Sequence, residues 1–144
     1  MNLANKNIQL ALIQLLSEGQ EVEVPAHGMS MFPLLKPGDI LLVSPGKPQK
    51  GDIGVFISQN KLIAHRIYAL KNKTYHFKGD GLIHSDPPVS NTNVLGTVIG
   101  RRRNNKYSNC NKGWFLIFKK LMPHCTFITG RLFFYSGRIR AKLS

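Results

Sequence analysis

The chain has 144 residues, 42% of them hydrophobic, and eight Phe, four Tyr and one Trp supply large side chains. A chain of this length forms one core, and a composition this apolar excludes the disordered and fibrous classes. The formal net charge is +13, but residues 101–144 hold eleven Lys/Arg and no acid, whereas residues 1–100 hold nine Lys/Arg and seven Asp/Glu. This asymmetry predicts an anionic partner for the C-terminal segment.

A short amphipathic helix is predicted from Asn5 to Glu18. Apolar residues recur there at helical spacing, namely Ile8, Leu12, Leu15 and Leu16. Gly19 supplies a stop signal. Such a helix ordinarily covers a core, and a face directed to a membrane or a partner is the alternative. Polar residues interrupt the apolar run and no small-residue cleavage site follows it, so we expect no secretory signal.

After Gly19 the hydrophobic period changes to two. Short apolar and β-branched runs predict strands at residues 21–24, 40–43, 53–57, 62–70, 74–77 and 94–99. Turn-forming residues separate these runs at 37–39, 45–48, 50–52, 72–73 and 86–88. Many short strands joined by such turns are typical of a partly closed barrel or a sandwich. We predict a mainly β domain over 21–103, between an N-terminal helix (1–20) and a C-terminal extension (104–144).

The C-terminal extension contains an apolar and aromatic segment from Trp114 to Tyr135. Several residues in it do not suit a bilayer core, namely Lys119, Lys120, Pro123, His124 and Arg131. Because each central charge costs about 2.5–3.5 kcal/mol on insertion, a simple spanning helix is disfavoured. Two interpretations stay open: a basic amphipathic segment on an anionic membrane surface, and a helical extension packed on the domain.

The two cysteines, Cys110 and Cys125, both lie in the C-terminal extension. They lack the paired spacing of a zinc site and the density of a disulfide scaffold, so we predict free thiols in a reducing compartment. His76 and His84 lack metal-ligand spacing, and we predict no metal or other cofactor. Because no segment ahead of the motif described next could span a bilayer, we expect a cytoplasmic protein that is peripheral to the membrane.

The most informative stretch is Gly28 to Asp39, which reads GMSMFPLLKPGD. It resembles, residue for residue, the box G-x-S-M-x-P-x-L-x-x-G-D of the type I signal peptidase family, and the self-cleaving repressors of the SOS response share much of this box. Further boxes follow in family order: KGDIGVF at 50–56, IAHRI at 63–67, FKGD at 77–80 and LGTV at 95–98. The resemblance spans residues 24 to about 101 and implies a partly open, signal-peptidase-like β barrel.

The resemblance implies Ser30 as the nucleophile and His65 as its general base. Bacterial-type members carry a lysine at the second position, whereas the endoplasmic-reticulum type carries a histidine. Imidazole can take the proton of a serine hydroxyl near neutral pH. Asp80 and Asp86 both match family acids, and we favour Asp86 as the acceptor that orients His65. We expect Asp80 to hold its turn by accepting backbone N–H bonds.

The resemblance also indicates the oxyanion hole and substrate contacts. The backbone N–H of Ser30 is the first oxyanion donor, and the substrate-binding candidates are Gly28, Met29, Met31 and Pro33. Many bacterial members have a hydroxyl at the position of Gly28, so here the second donor must be a backbone group or water. Losing such a donor typically costs about 2.7–4 kcal/mol of transition-state stabilisation.

These features predict a serine endopeptidase that cleaves a leader or signal-like precursor with small residues one and three positions before the cut. Family members usually carry a transmembrane helix before the serine, and this chain has only the short predicted helix. The alternative is a catalytically inactive binding module that uses its basic extension, beginning at Arg101, on a membrane surface or, less favoured, on nucleic acid. A self-cleaving repressor is disfavoured because His65 replaces the lysine, the N-terminal segment is too short for a DNA-binding domain, and no Ala-Gly dipeptide lies upstream.

Overall fold

A computed structural model describes the backbone of residues 3–143 and the side chains of residues 6–143. Met1, Asn2 and Ser144, which belong to the predicted terminal segments, lie outside the described residues. The elements are α1 (Leu3–Ser17), β1 (Val22–Pro25), β2 (Ile40–Pro45), β3 (Ile53–Ser58), β4 (Lys61–Lys71), β5 (Thr74–Lys78), β6 (Val89–Ser90), a 3₁₀ turn (Asn91–Asn93), β7 (Val94–Arg103), β8 (Lys106–Asn109) and α2 (Gly113–Leu143).

One antiparallel sheet contains all eight strands of the described residues, in the order β1-β2-β7-β3-β4-β5-β6, with β8 also paired to β7. Register shifts occur at Leu42/Val43, Val55/Phe56 and Ile67/Ala69. Such irregularities bend a sheet and increase its twist. Within residues 3–143 the end strands β1 and β6 do not pair with each other, so the sheet is open and barrel-like. The predicted fold class, mainly β and partly open with a helix at either end, is confirmed.

Helix α1 covers one end of the core. Leu16 is buried, and Leu12 and Leu15 pack against the same cluster. The helix ends before Gly19, which has φ +84°, and the N–H of Gly19 donates to the carbonyl of Leu16 over 3.1 Å. This left-handed glycine is a common way to end a helix. The helix begins two residues before the predicted start and ends one residue before the predicted end.

Every predicted strand is present, but the sheet continues beyond residue 103. Asn104 and Asn105, with φ +49° and +60°, form a two-residue hairpin that leads into β8. Asparagine tolerates this left-handed conformation, and the resulting turn matches the twist of the flanking strands. Strand β8 was not predicted because its four residues, Lys106–Asn109, show no alternation of apolar and polar side chains. The first part of the predicted C-terminal extension therefore belongs to the sheet.

Helix α2 packs along the sheet through one face only. Its buried residues recur at helical spacing, namely Phe115, Met122, Thr126, Gly130 and Gly137. At its start the guanidinium of Arg101 lies 5.1 Å from the centre of the Phe115 ring, and Lys119 pairs with Asp52 over 2.7 Å. Of the two interpretations of this segment, packing on the domain describes the buried face, whereas the opposite face is exposed. No helix within residues 3–143 combines the length and the hydropathy required to cross a bilayer.

Candidate active site

Ser30 lies in a tight turn that follows β1. Gly28 begins this segment with φ +78°, a conformation that favours glycine. The N–H of Leu35 donates to the carbonyl of Met31 over 3.0 Å, and the N–H of Gly81 donates to the carbonyl of Ser30 over 2.9 Å. The turn is therefore fixed both by its own backbone and by the loop that follows β5.

Asp39 holds the end of this turn. Its buried carboxylate accepts hydrogen bonds from Nε and Nη2 of Arg103 over 2.6 and 2.7 Å, and from the N–H of Lys36 over 2.9 Å. Burial by itself raises the pKa of Asp39, but these hydrogen bonds outweigh it and hold the pKa below its ordinary value. Asp39 is therefore ionised at neutral pH and ties the turn to β7.

His65 is buried in β4, with 6% of its surface exposed. Its Nδ1 lies 2.6 Å from Oδ2 of Asp86. The N–H of Asp86 donates to the carbonyl of Phe77 over 2.9 Å, so this hydrogen bond to β5 fixes the backbone position from which the carboxylate reaches His65. A carboxylate that accepts the Nδ1 proton leaves Nε2 as the basic nitrogen of the ring. The expected contact between Asp86 and His65 is therefore present.

Asp80 has a different partner. Its two oxygens accept hydrogen bonds from Nε and Nη2 of Arg66 over 2.8 and 2.7 Å. Both side chains are almost fully buried, and Nη1 of Arg66 also donates to the carbonyl of Gly51 over 2.8 Å. We expected Asp80 to accept hydrogen bonds from backbone N–H groups, but its carboxylate instead accepts them from the guanidinium of Arg66. Because neighbouring residues of a strand point to opposite faces, His65 and Arg66 reach different acids.

Ser30 and His65 line the same cleft, which has a volume of about 380 Å³. Gly28 and Met31 also line it, and Gln9 of α1 closes one end, where its Oε1 accepts the N–H of Leu62 over 3.2 Å. Among the described side chains, the Ser30 hydroxyl has no hydrogen-bond partner. Catalytic hydrogen bonds are often long without substrate and tighten when it binds.

The other two predicted substrate-binding residues lie outside this cleft. Met29 lines a separate cavity beside α2, and Pro33 lines a third depression together with Trp114 and Phe115. The reason is the sharp turn around Ser30, which directs successive side chains to different sides of the loop. Met29 and Pro33 therefore do not form the wall of the cleft.

Lys78 was not predicted as part of the site. It is fully buried, and its Nζ donates to the carbonyl of Thr126 over 2.8 Å and to the hydroxyl of the same residue over 3.1 Å. Burial lowers the pKa of Lys78, while the negative charges of Asp80 and Asp86 oppose this shift. Lys78 thus joins α2 to the strand that leads to both acids. The sequence around Lys78 did not predict this contact, because its partner lies 48 residues further along the chain.

The thiols and His76 do not extend the site, whereas His27 lines the cleft. Cys110 and Cys125 are free, and burial raises the pKa of Cys110 to about 12, so its reactive thiolate is scarce at neutral pH. The His76 ring lies 6.0 Å from that of Tyr68. Across the described part of the chain, no group of three or more His, Cys, Asp or Glu is placed to hold a metal ion.

The cleft and its border contain three of the side-chain types that nucleophilic catalysis uses. A partly exposed serine shares a cleft with a buried histidine, and a carboxylate orients that histidine through its other nitrogen. The oxygen and nitrogen atoms involved come from segments separated by 35 and 21 residues, from Ser30 to His65 and from there to Asp86. No protein-family model matches the chain, and comparison with the curated proteins finds no significant match.

Proposed function

We propose that this protein is a serine endopeptidase of the signal-peptidase type, in which Ser30 is the nucleophile, His65 the general base and Asp86 the orienting acid. One observation carries the proposal: Nδ1 of His65 lies 2.6 Å from Asp86 in the cleft that Ser30 also lines. The same residues are those matched by the resemblance to the signal peptidases.

In the proposed reaction, Oγ of Ser30 attacks the scissile carbonyl carbon while Nε2 of His65 accepts its proton. Asp86 stabilises the resulting imidazolium, which then protonates the leaving amine. Water repeats the sequence on the acyl-enzyme and regenerates Ser30. The N–H of Ser30, which has no backbone acceptor within residues 3–143, is the proposed first oxyanion donor. A second donor must be supplied by another backbone group or by water, because Gly28 has no hydroxyl.

The proposed substrate is a leader or signal-like precursor peptide with small residues one and three positions before the cut. The resemblance supplies this preference. The cleft agrees with it in chemistry, because its walls are largely apolar and include Val24, Ala26, Leu62 and Ala64. An apolar cleft of this kind favours uncharged segments.

Labelling with a fluorophosphonate, which reacts with activated serines, tests the proposal. We expect stoichiometric labelling of the wild-type protein and none of Ser30→Ala or His65→Ala, since either change removes the activated hydroxyl. Ser136→Ala is the matched control, because Ser136 is an exposed serine on α2, and it should label normally. A folded wild-type protein that stays unlabelled would contradict the proposal and favour the alternative, an inactive binding module.

The exposed face of α2 favours a second property, which is binding to a membrane surface. Apolar side chains form a continuous exposed stripe on this face, consisting of Trp114, Ile117, Leu121, Ile128, Leu132, Tyr135, Ile139 and Leu143. Basic residues follow members of this stripe by three positions and therefore flank it on the helix, namely Lys120, Arg131, Arg138 and Lys142. An apolar stripe with a cationic flank suits an anionic lipid surface. We propose a peripheral enzyme that acts at the cytoplasmic face of a membrane.

Vesicle flotation with the full chain tests this localisation. We expect wild-type protein to float with vesicles containing phosphatidylglycerol and to dissociate as salt is raised. The double change Ile128→Asp and Leu132→Asp should weaken binding more than tenfold, because it removes two inserted apolar groups. Leu70→Asp, an exposed leucine on the sheet, is the control and should bind normally. Wild-type protein that ignores anionic vesicles, or that prefers nucleic acid, would contradict a membrane role.

A further inference from the structure

A second cavity also borders Ser30. Its volume is about 310 Å³, and it is formed by Met29 and Leu82 together with Phe133, Phe134 and Gly137 of α2. Among the residues that the structure describes, Ser30 alone lines both this cavity and the cleft. Ser30 therefore borders two openings, one lined mainly by the sheet and one lined partly by α2.

The chemistry of this second cavity is apolar. Methionine, leucine and phenylalanine side chains form most of its walls. Arg138 also lines the cavity, and its guanidinium lies 5.1 Å from the centre of the Phe134 ring. Gly137 adds no side chain to this wall. A Cβ there would meet Met29 Cε at 3.4 Å, an ordinary contact, so a side chain longer than that of alanine would have to share the space of the cavity. An apolar wall with one rim charge is suited to a large hydrocarbon or aromatic side chain.

The end of α2 also acts electrostatically on a residue of the cleft. Lys36 lines the cleft, and its pKa is lowered first by burial and next by the positive charge of Arg140 on α2. An endopeptidase binds residues on both sides of the scissile bond, so its substrate must extend past the nucleophile in two directions. Because Ser30 borders both the cleft and the cavity beside α2, these two spaces are the candidates for the two directions.

We infer that this cavity is a substrate subsite for a large apolar side chain, on the opposite side of the scissile bond from the residues held in the cleft. The inference rests on the proposed function. Helix α2 lies outside residues 24–101, where the chain resembles the signal peptidases, so this subsite is a feature of this chain. It requires a precursor that combines small residues on one side of the cut with a leucine- or phenylalanine-like residue on the other.

A panel of peptides tests the subsite. In the first panel, the residues before the cut are kept small, and each of the first three positions after the cut is varied among Ala, Leu and Phe. In the second panel, the residues after the cut are kept small and the three positions before it are varied in the same way. We expect wild-type kcat/KM to favour Leu or Phe over Ala at one position by about 10- to 100-fold, the range that a few methylene groups contribute in an apolar pocket.

Gly137→Leu fills the cavity and should lower kcat/KM for the preferred Leu or Phe peptide at least tenfold, while the Ala peptide is cleaved within about twofold of wild type. Ser136→Leu, which adds the same side chain at the neighbouring exposed position, is the matched control and should keep the wild-type preference. Phe134→Ala enlarges the cavity and should move the preference from Leu towards Phe. It provides a second readout if Gly137→Leu does not fold.

The outcomes separate the subsite from the enzyme activity itself. Suppose that the wild-type protein is labelled by fluorophosphonate and cleaves peptides normally. The subsite would then be overturned, and the proposed function left intact, if the apolar preference were absent or if it survived unchanged in both Gly137→Leu and Phe134→Ala. A wild-type protein that neither labels nor cleaves any peptide would refute the proposed function, and the subsite with it.

Discussion

The Ser30→Ala and Asp86→Asn variants should both lose almost all peptidase activity, with Asp86→Asn lowering kcat by about 10⁴-fold. Ser30→Ala removes the nucleophile. Asp86→Asn replaces the oxygen that lies 2.6 Å from Nδ1 of His65 with an amide whose N–H can donate a hydrogen bond to that nitrogen. The ring then carries its own proton on Nε2, where it cannot accept one from Ser30.

Fluorophosphonate labelling rates and peptide kcat/KM would measure both losses, and thermal unfolding would establish that the variants are folded. Asp52→Asn provides a matched control, since Asp52 pairs with Lys119 away from the cleft, and its kcat should stay within about twofold of wild type. Were Asp86→Asn to keep activity within tenfold of wild type, Asp86 would have no role in orienting the base.

The largest effect on stability is expected at the ion pair between Arg66 and Asp80. Asp80→Ala should lower the free energy of unfolding by about 3–5 kcal/mol, because it leaves the charge of Arg66 buried without its partner. The two side chains are 3% and 0% exposed, so water cannot replace the lost carboxylate. Urea unfolding at neutral pH measures the change through the midpoint and slope.

Two comparisons make this measurement specific. The double variant Arg66→Met and Asp80→Leu, which removes both charges at similar volume, should recover most of the loss. Glu23→Gln, in the exposed pair with Arg102 at 2.7 Å, should change the free energy of unfolding by about 0–1 kcal/mol. A loss below about 1 kcal/mol in Asp80→Ala would show that the buried pair is not required for stability.

Local patterns in the sequence were sufficient to predict most of the secondary structure. The change of hydrophobic period after Gly19 separated α1 from the strands, and turn residues separated the strands from one another. Strand β8 and the two-residue β6 were not predicted because they are short. Each is stabilised by pairing with a neighbour, β8 with β7 and β6 with β5, and not by a pattern of its own side chains. Their existence depends on the neighbouring strand.

The sequence by itself determined the kinds of chemical group available, namely one serine in a turn, one histidine in a strand and two acids six residues apart. Two features of the fold decide that His65 contacts Asp86. Side chains alternate along β4, so His65 and Arg66 point to different faces, and a backbone hydrogen bond holds Asp86 beside Phe77. The pattern around Asp80 carried no information about a partner 14 residues away.

Tertiary structure alone decided which face of α2 packs on the domain. Its sequence was compatible with a membrane surface and with packing on the domain, because it has apolar residues on two faces. Gly130 lets one face approach Lys78 and the loop at Leu82, because a Cβ there would collide with both residues. The same helix forms one wall of the cavity beside Ser30. A local pattern reports which faces of a helix are apolar, whereas the face that is covered depends on the shape of a distant surface that only the folded chain presents.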